Sequence, residues 1–387
     1  MIGPIMKRDI LVHIHIFKNA GTSFDFALQE HFGEAFVDHR DDNALLEGKQ
    51  EYLVDFLDKN PEIKAFSSHS LHFRLENTDR YRFIPVYFLR HPIERIRSVY
   101  AFEKKQIPAG TDGSKKAKEL SFDEYIEWYM RKDSPATIRA AHTIFLSGDG
   151  PDAQSVREKF EIAKERLGKS DMLIGVVDRY DDSMIYFEEK LKCYFPDIDL
   201  SYIRKNITDD KIELDVSQKA QMLLERMKES TKELVLMKNR EDMELYEMAK
   251  EKLDRELDKI EDYERKKNSF KLRCALKKVR EYKKEEKYDK IVDILSPFLE
   301  MDGLNNIHLY LELAKARQKR KEFEEAVALF KKTAELFPRN PWPCFYEIET
   351  YVIMGEREKA TDMRKRYAEK MESIIETVSA SIRKWEL

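Results

Sequence analysis

A short stretch near the amino end combines residue types that can hold an anion. Lys18 carries a full positive charge, Thr22 and Ser23 offer hydroxyl donors, and Gly21 lets the backbone come close to a bound group. The whole stretch reads His15, Ile16, Phe17, Lys18, Asn19, Ala20, Gly21, Thr22, Ser23. These residue types predict a site for a phosphate-like group.

A strand and a helix must present this stretch. The apolar run from Ile10 to Phe17 predicts one buried β-strand. A helical pattern follows, with apolar residues four apart at Phe24, Leu28 and Phe32. The first amides of such a helix point at a bound anion, and the helix dipole adds roughly half a positive charge. The Walker spacing of nucleotide-triphosphate enzymes is absent, because Lys18 precedes the only glycine of the stretch.

A second candidate anion site follows the apolar run 83–89. Arg90 stands at the end of this predicted strand, and Pro92 suits the first turn of a helix that carries Ser98 about two turns on. Arginine forks two hydrogen bonds to a phosphate, and a serine adds a third. Pro85 within the run predicts a strand start or an edge strand. Arg95 and Arg97 face either solvent or an acidic substrate.

Two histidines follow another predicted strand, Ile63 to Ser67. Histidine has an ordinary pKa of about 6.5, so His69 or His72 suits a general base near neutrality. The residues alone leave open whether either histidine does chemistry or only packs. Two anion sites at the ends of adjacent strands would meet at the carboxyl edge of a parallel sheet, where open α/β folds bind ligands.

Both stretches resemble motifs of the carbohydrate sulfotransferases that use 3′-phosphoadenosine 5′-phosphosulfate (PAPS). The similarity is greatest to the branch of heparan sulfate 2-O-sulfotransferase and its bacterial relatives. The first family motif reads His-Ile-Pro-Lys-Thr-Ala-Gly-Thr-Ser, where this chain has Phe17 and Asn19. The second reads Leu-Arg-Asp-Pro-x-x-Arg-x-x-Ser-x-Tyr, where this chain has His91 for the aspartate. The resemblance covers roughly residues 8 to 255.

The resemblance implies a fold, a donor and a set of roles. The fold is a P-loop-like parallel β-sheet flanked by helices, the donor is PAPS and the product is PAP. The 5′-phosphosulfate would be bound by Lys18, Asn19, Ala20, Gly21, Thr22 and Ser23, and the 3′-phosphate by Arg90 and Ser98. His69 is the implied base and Lys18 the second catalytic residue. The acceptor would be a hydroxyl, on a sugar of a polysaccharide or glycolipid.

Further residues carry weaker expectations from the same resemblance. His72 is a second candidate for the base, and His142 either contacts the acceptor or packs in the core. Candidates near the nucleotide are Lys205, Asn206 and Lys211. No metal is expected, because no ligand cluster stands out in the sequence.

Composition excludes several function classes. With 70 basic and 74 acidic residues, the net charge of −4 does not favour binding to nucleic acid. The 3 cysteines lie too far apart for a disulfide framework or a metal motif. No run of about 18 apolar residues predicts a membrane span. Animal Golgi sulfotransferases carry such an anchor, so we expect a cytoplasmic protein of bacterial type.

The sequence predicts two domains and a linker. We expect a sulfotransferase domain over 1–249, a charged helical linker over 250–269, and an all-α domain over 270–387 that resembles tetratricopeptide (TPR) repeats. Ala326 and Ala360 lie one TPR period of 34 residues apart. An ordinary helical bundle is the alternative. A TPR-like array would bind a protein partner or mediate self-association.

Two other functions remain open at this point. The first domain could bind the nucleotide without catalysis, as a scaffold whose helical array recruits a partner. A P-loop kinase is the other alternative, which the missing Walker pattern disfavours.

Overall fold

A computed structural model describes residues 7–148, 155–169, 172–203, 214–301 and 303–369. The chain divides into two compact units, 1–263 and 264–387. The division therefore lies within the stretch 250–269 that we predicted as a linker, and two helices cover most of that stretch. The exact domain boundaries stay a prediction.

The described part of the first unit is built on a parallel sheet of five strands in the order β2-β3-β1-β4-β5. Its strands are β1 (Arg8–Ile14), β2 (Phe36–Asp38), β3 (Ala65–Ser68), β4 (Tyr81–Leu89) and β5 (Leu173–Val176). This confirms the predicted α/β architecture with a parallel sheet.

Strand β1 occupies the centre of the sheet and sets the position of the site. Ile10, Leu11 and Val12 on β1 are fully buried, as expected for a strand covered on both faces. Ile14 at its end lies opposite Ser68 at the end of β3, while β4 runs along its other side. The carboxyl ends of these neighbouring strands therefore meet at one edge, where parallel sheets bind ligands.

Helices connect and cover these strands. Those of the first unit are α1 (Gly21–Phe32), α2 (Asp42–Lys59), α3 (Pro92–Lys105), α4 (Asp112–Glu119), α5 (Phe122–Tyr129), α6 (Ala141–Ser147), α7 (Val156–Gly168), α8 (Tyr180–Leu191), α9 (Val216–Glu225), α10 (Glu229–Lys238) and α11 (Arg240–Leu257). Capping boxes begin several of them, including one between Ser121 and Glu124 at the start of α5.

The structure differs from the sequence prediction in two strands. Strand β1 ends at Ile14 rather than at Phe17, because Lys18 and Ala20 adopt left-handed backbone angles (φ 63° and 60°) that strands do not use. Pro85 lies in the middle of β4, opposite Val12, not at a start or an edge. Within the described residues, β5 pairs with β4 only from Val86 onward, so β4 has a single neighbour at the proline.

The polar composition of 37–48 and of 103–118 predicts loops, and an apolar pattern from Tyr52 to Leu57 predicts a helix; the structure places helices in both predicted loops. Residues 42–59 form α2, whose first turn is capped by the Asp41 carboxylate accepting from the Ala44 amide. Polar residues in that turn face solvent, which hides the helical pattern. The predicted loop 103–118 holds the end of α3 and then α4, which starts with a capping box between Thr111 and Ser114.

The described part of the second unit is helical. It contains α12 (Tyr263–Lys284), which begins at the boundary, α13 (Tyr288–Leu295), α14 (Ile307–Lys319), α15 (Phe323–Leu336) and α16 (Trp342–Ile353). Ala326 and Ala360 are both buried, as close helix packing requires. The helical content agrees with expectation, and TPR identity stays a prediction. No helix in the described ranges has the length and apolarity to cross a lipid bilayer.

Candidate active site

The turn between β1 and α1 presents a helix N-terminus at the edge of the sheet. Lys18 and Ala20 take left-handed angles, and α1 begins at Gly21. The amide of Ser23 donates to the Ala20 carbonyl, whereas the amides of Gly21 and Thr22 donate to no other group in the described part of the chain. Two free amides at the start of a twelve-residue helix suit the binding of an anion, and the anion site itself stays a prediction.

Gly21 is required by a neighbouring side chain of the protein itself. A Cβ atom at this position would lie 2.1 Å from Nε2 of His15. The imidazole of His15 thus lies against the first residue of α1. The sequence predicts that Gly21 lets the backbone approach a bound group, and the structure adds that a side chain at this position would overlap His15.

Replacing Gly21 with alanine is expected to destabilise the first unit by roughly 1–3 kcal/mol, the usual cost of overpacking. The added methyl must push the His15 ring, which has ring neighbours on two sides. Gly110→Ala is the matched control, because nothing lies within 4 Å of its added Cβ. Denaturant unfolding measures both variants. Equal stability of the two would contradict the packing argument.

Lys18 and Arg90 bring two positive charges to the same strand ends. Arg90 Nη1 lies 3.4 Å from the carbonyl oxygen of Lys18. The Lys18 ammonium lies 4.5 Å from the centroid of the Phe102 ring. Burial, together with the charge of Arg90, lowers the pKa of Lys18. A bound anion would relieve the repulsion between the two cations, so this pair favours the binding of an anion.

Asn19 is directed into the protein. Its amide Nδ2 donates to the Phe88 carbonyl (2.7 Å) and lies 3.2 Å from Nε2 of His142. Its backbone N–H donates to the Ile16 carbonyl. Both donors are therefore engaged, and Asn19 holds the turn against the end of β4. The predicted contact of Asn19 with the phosphosulfate stays a prediction.

His69 follows β3 and approaches the turn from the other side. Its Nδ1 lies 2.8 Å from the carbonyl oxygen of His15. A carbonyl only accepts, so Nδ1 carries the proton in the neutral ring and Nε2 is left with a lone pair. Burial, with the neighbouring His15, lowers the pKa of His69 to about 4. The ring is thus neutral at pH 7 and ready to accept a proton at Nε2.

A buried cluster under His69 escaped the sequence analysis. Asp25 on α1 has Oδ1 2.7 Å from Nδ1 of His13 and Oδ2 2.9 Å from Nδ1 of His15. All three side chains are at least nine-tenths buried. The available signal was a carboxylate on the apolar face of a predicted helix, after two histidines with the spacing of one strand face.

The same cluster qualifies the expectation that no metal-ligand group exists. The side-chain donor atoms of His13, His15 and Asp25 lie within 4.8 Å of one another. However, each histidine Nδ1 faces a different Asp25 oxygen, and His13 Nδ1 also lies 3.0 Å from the Ser67 hydroxyl. His13 is thus held by hydrogen bonds within the protein, and the absence of a metal from this cluster stays a prediction.

Helix α3 has structural and candidate functional residues on the same turns. Arg95 is buried and donates to the carbonyls of Phe17 (3.0 Å) and Thr137 (2.7 Å), so it supports the turn from within. Arg97 pairs with Glu94 at 2.8 Å. Ser98 is half-buried on the same helix, downstream of Arg90. The structure thus gives Arg95 and Arg97 different roles, a distinction that the sequence could not make.

A cleft of about 1000 Å³ opens beside His69. Its aromatic lining includes Phe17, Phe102 and Phe145, and its polar lining includes Arg40 and Asp42. His72 also lines it, with its ring 4.2 Å from that of Phe145. The cleft has room for an acceptor next to Nε2 of the candidate base.

One wall of this cleft carries a carboxylate that sequence reasoning did not single out. Glu103 at the end of α3 accepts hydrogen bonds from the hydroxyls of Tyr125 (2.6 Å) and Tyr129 (2.8 Å). Burial raises the pKa of Glu103, and the two tyrosine hydrogen bonds oppose that rise. The two tyrosines were predicted only as part of an apolar helix stripe. Their hydroxyls reach Glu103 only because the folded chain brings the end of α3 next to α5.

Two further histidines of the first unit, His142 and His91, pack in the core. His142 is fully buried and does not line the cleft, which favours the packing alternative over acceptor contact. Asp242 on α11 accepts from the amides of His142 and Thr143 and so caps α6. His91, where the family has aspartate, is buried with its ring 5.3 Å from Tyr246. Three further candidates lie outside the described residues: Lys205, Asn206 and Lys211.

Comparison with known proteins agrees with the motif reading. Residues 5–249 match the sulfotransferase family, which is more than half of the chain and includes the whole candidate site. An uncharacterized protein of Archaeoglobus fulgidus is 31% identical over 208 residues, which cover 52% of this chain and 81% of that protein. With a helix N-terminus, paired cations and a candidate base at one sheet edge, this match establishes that the chain belongs to the sulfotransferase family and is a transferase.

Proposed function

We propose that this chain transfers a sulfuryl group from PAPS to a hydroxyl of a carbohydrate acceptor, with His69 as the base. The observation that carries the proposal is the convergence at one sheet edge. Free amides of α1, the Lys18 and Arg90 cations, and the His69 ring all meet there, next to a cleft. Family membership supports sulfuryl transfer in general, and this geometry supports the finer assignment.

The donor assignment rests on two separate anion positions. Lys18 with the amides of Gly21 and Thr22 suits the phosphosulfate, and Ala20 and Ser23 complete that turn. Arg90 and Ser98 suit the 3′-phosphate that distinguishes PAPS from ordinary adenine nucleotides. The lowered pKa of Lys18 supports the fit, because two crowded cations gain from a polyanion.

The acceptor assignment rests on the lining of the cleft. Aromatic faces such as those of Phe17 and Phe145 stack on the apolar C–H faces of a sugar, while Arg40 and Asp42 offer hydrogen bonds to its hydroxyls. A sugar hydroxyl placed beside Nε2 would then meet the base directly.

The chain's residues would divide the chemistry as follows. PAPS, when bound, supplies the sulfuryl group. His69 Nε2 takes the proton of the acceptor hydroxyl as the new oxygen–sulfur bond forms. Lys18 and the α1 amides stabilise the charge that develops on the departing phosphate oxygen and on the sulfuryl oxygens. The His15 carbonyl keeps the His69 proton on Nδ1, so Nε2 stays available.

Titration calorimetry with PAP and with adenosine 5′-monophosphate tests the donor site. We expect PAP to bind at least about tenfold more tightly, since the 3′-phosphate adds charge-assisted hydrogen bonds worth roughly 1.5–3 kcal/mol. Arg90→Ala should remove most of that preference and affect the monophosphate less. Arg82→Ala is the control, because Arg82 lies near the start of β4 and pairs with Asp9. Folded protein that binds no PAP would overturn the proposal.

A further inference from the structure

We propose that the buried carboxylate of Asp25 is a positioning residue for the base: it holds the imidazole of His15, and His15 holds His69 at the cleft. The inference rests on the proposed role of His69. Asp25 does not line the cleft, so its action must pass through its neighbours.

The carboxylate has no other evident reason to lie inside the first unit. Asp25 is only 8% exposed and follows Phe24, which is fully buried. An ion in such a place costs several kcal/mol unless it is paired. Its two oxygens face Nδ1 of His13 and Nδ1 of His15 at 2.7 and 2.9 Å. One oxygen is hydrogen-bonded to the His13 ring, and the other lies in close charge contact with the His15 ring.

The ring of His15 is confined on three sides. Its centroid lies 3.9 Å from that of His69 and 4.9 Å from that of His13. Gly21 blocks the third side, since even a methyl group there would overlap His15. The ring that contacts the base therefore also contacts the first residue of the anion-binding helix.

The backbone of His15 fixes the orientation of the base. Its N–H donates to the Ser68 carbonyl at 3.1 Å, and its own carbonyl accepts from His69 Nδ1 at 2.8 Å. The carbonyl thus holds Nδ1 of His69, while the His15 ring, with its centroid 3.9 Å from that of His69, limits the movement of the base from one side. Holding the His15 ring through Asp25 therefore restricts the orientation of His69.

Asp25 also contributes charge. The groups that act on the pKa of His69 are His15, Arg40 and Asp25, and His72 lies beside it in sequence and in the cleft wall. Burial and the charges of His15 and Arg40 lower the pKa of His69, while the hydrogen bond to the His15 carbonyl and the negative charge of Asp25 raise it. Burial alone would raise the pKa of Asp25, but contacts from His13 and His15 hold that pKa well below its usual range. The carboxylate is therefore ionised at every working pH.

The test is Asp25→Asn in the full chain, followed by two readouts. Asparagine keeps the shape and removes the charge. By NMR of imidazole nitrogens, without nucleotide or acceptor, we expect the His69 titration midpoint to fall by about one pH unit. In sulfuryl transfer, we expect kcat to fall by about tenfold while KM for PAPS stays within about threefold.

Asp242→Asn is the matched control. Asp242 is equally buried and also accepts several hydrogen bonds, but it caps α6. It should lower stability without moving the His69 midpoint. If the His69 titration midpoint were unchanged in Asp25→Asn as well, the inference would be overturned and Asp25 would be a purely structural residue.

A second variant covers the case in which Asp25→Asn does not fold. His15→Asn removes the ring that desolvates His69, so the His69 midpoint should rise toward its ordinary value and kcat should fall. An unmoved midpoint would overturn the inference. The NMR measurement needs no turnover, so it tests the positioning of His69 separately from the proposed function. If the His69 midpoint shifts as expected but the wild-type protein transfers no sulfuryl group, the proposed function is refuted and the positioning of His69 is upheld.

Discussion

Replacing His69 with alanine should lower turnover by about 10²- to 10⁴-fold, the usual loss when a general base is removed. Nε2 of His69 is the atom that the His15 carbonyl leaves available, and His69 lines a cleft with room for an acceptor. Binding of PAP should remain within about threefold of wild type, because the phosphate contacts are elsewhere. Steady-state sulfuryl transfer and PAP calorimetry measure the two effects separately.

Two histidine controls make this result specific. His72→Ala removes the other histidine of the cleft, and we expect it to reduce turnover far less. His308→Ala changes an exposed histidine of the helical unit and should have no effect. If His69→Ala retained full activity while His72→Ala lost it, the base would be His72.

The pH dependence of wild type follows from the same residue. A base works when it is neutral, and burial lowers the pKa of His69 to about 4. The kcat/KM of wild type should therefore be level from neutrality down to about pH 5 and fall at lower pH. Stability should also fall from pH 6.5 toward 4, because the unfolded chain takes up a proton that folded His69 resists.

Lys18→Ala is the second substitution with a large expected effect, again about 10²- to 10⁴-fold in turnover. Lys18 is the cation that we propose for the phosphosulfate and lies beside Arg90, so its removal should take away charge stabilisation of the transition state. Binding of PAP should weaken less than turnover falls, because PAP lacks the sulfuryl group. Single-turnover rates with saturating PAPS isolate the chemical step.

Lys64→Ala is the charge-matched control for this prediction. Lys64 is exposed just before β3, at the opposite edge of the sheet from the site. Lys18→Arg tests the need for a compact ammonium and should recover part of the lost rate. Turnover equal to that of the Lys64 variant would remove Lys18 from the catalytic residues.

The anion turn could be predicted because it is a local feature. A strand, a lysine, a glycine and a helix start fall within about fifteen consecutive residues, and each acts through its immediate neighbours. The helical segments 42–48 and 112–118 were harder to predict, because exposed polar first turns hide helical periodicity until the caps are visible. Pro85 misled the strand prediction because a proline is compatible with a strand that has only one neighbour there.

The amino-acid sequence by itself determined the α/β class, the anion-binding turn, the second cation and the family. Tertiary structure decided the rest: Asn19 turns inward to the end of β4, Asp25 lies under His15 and His69, and Glu103 joins two tyrosines in the cleft wall. The physical reason is range. Periodicity and capping act over a few residues, whereas Asn19 and Phe88 are 69 residues apart in sequence and meet only when the sheet assembles.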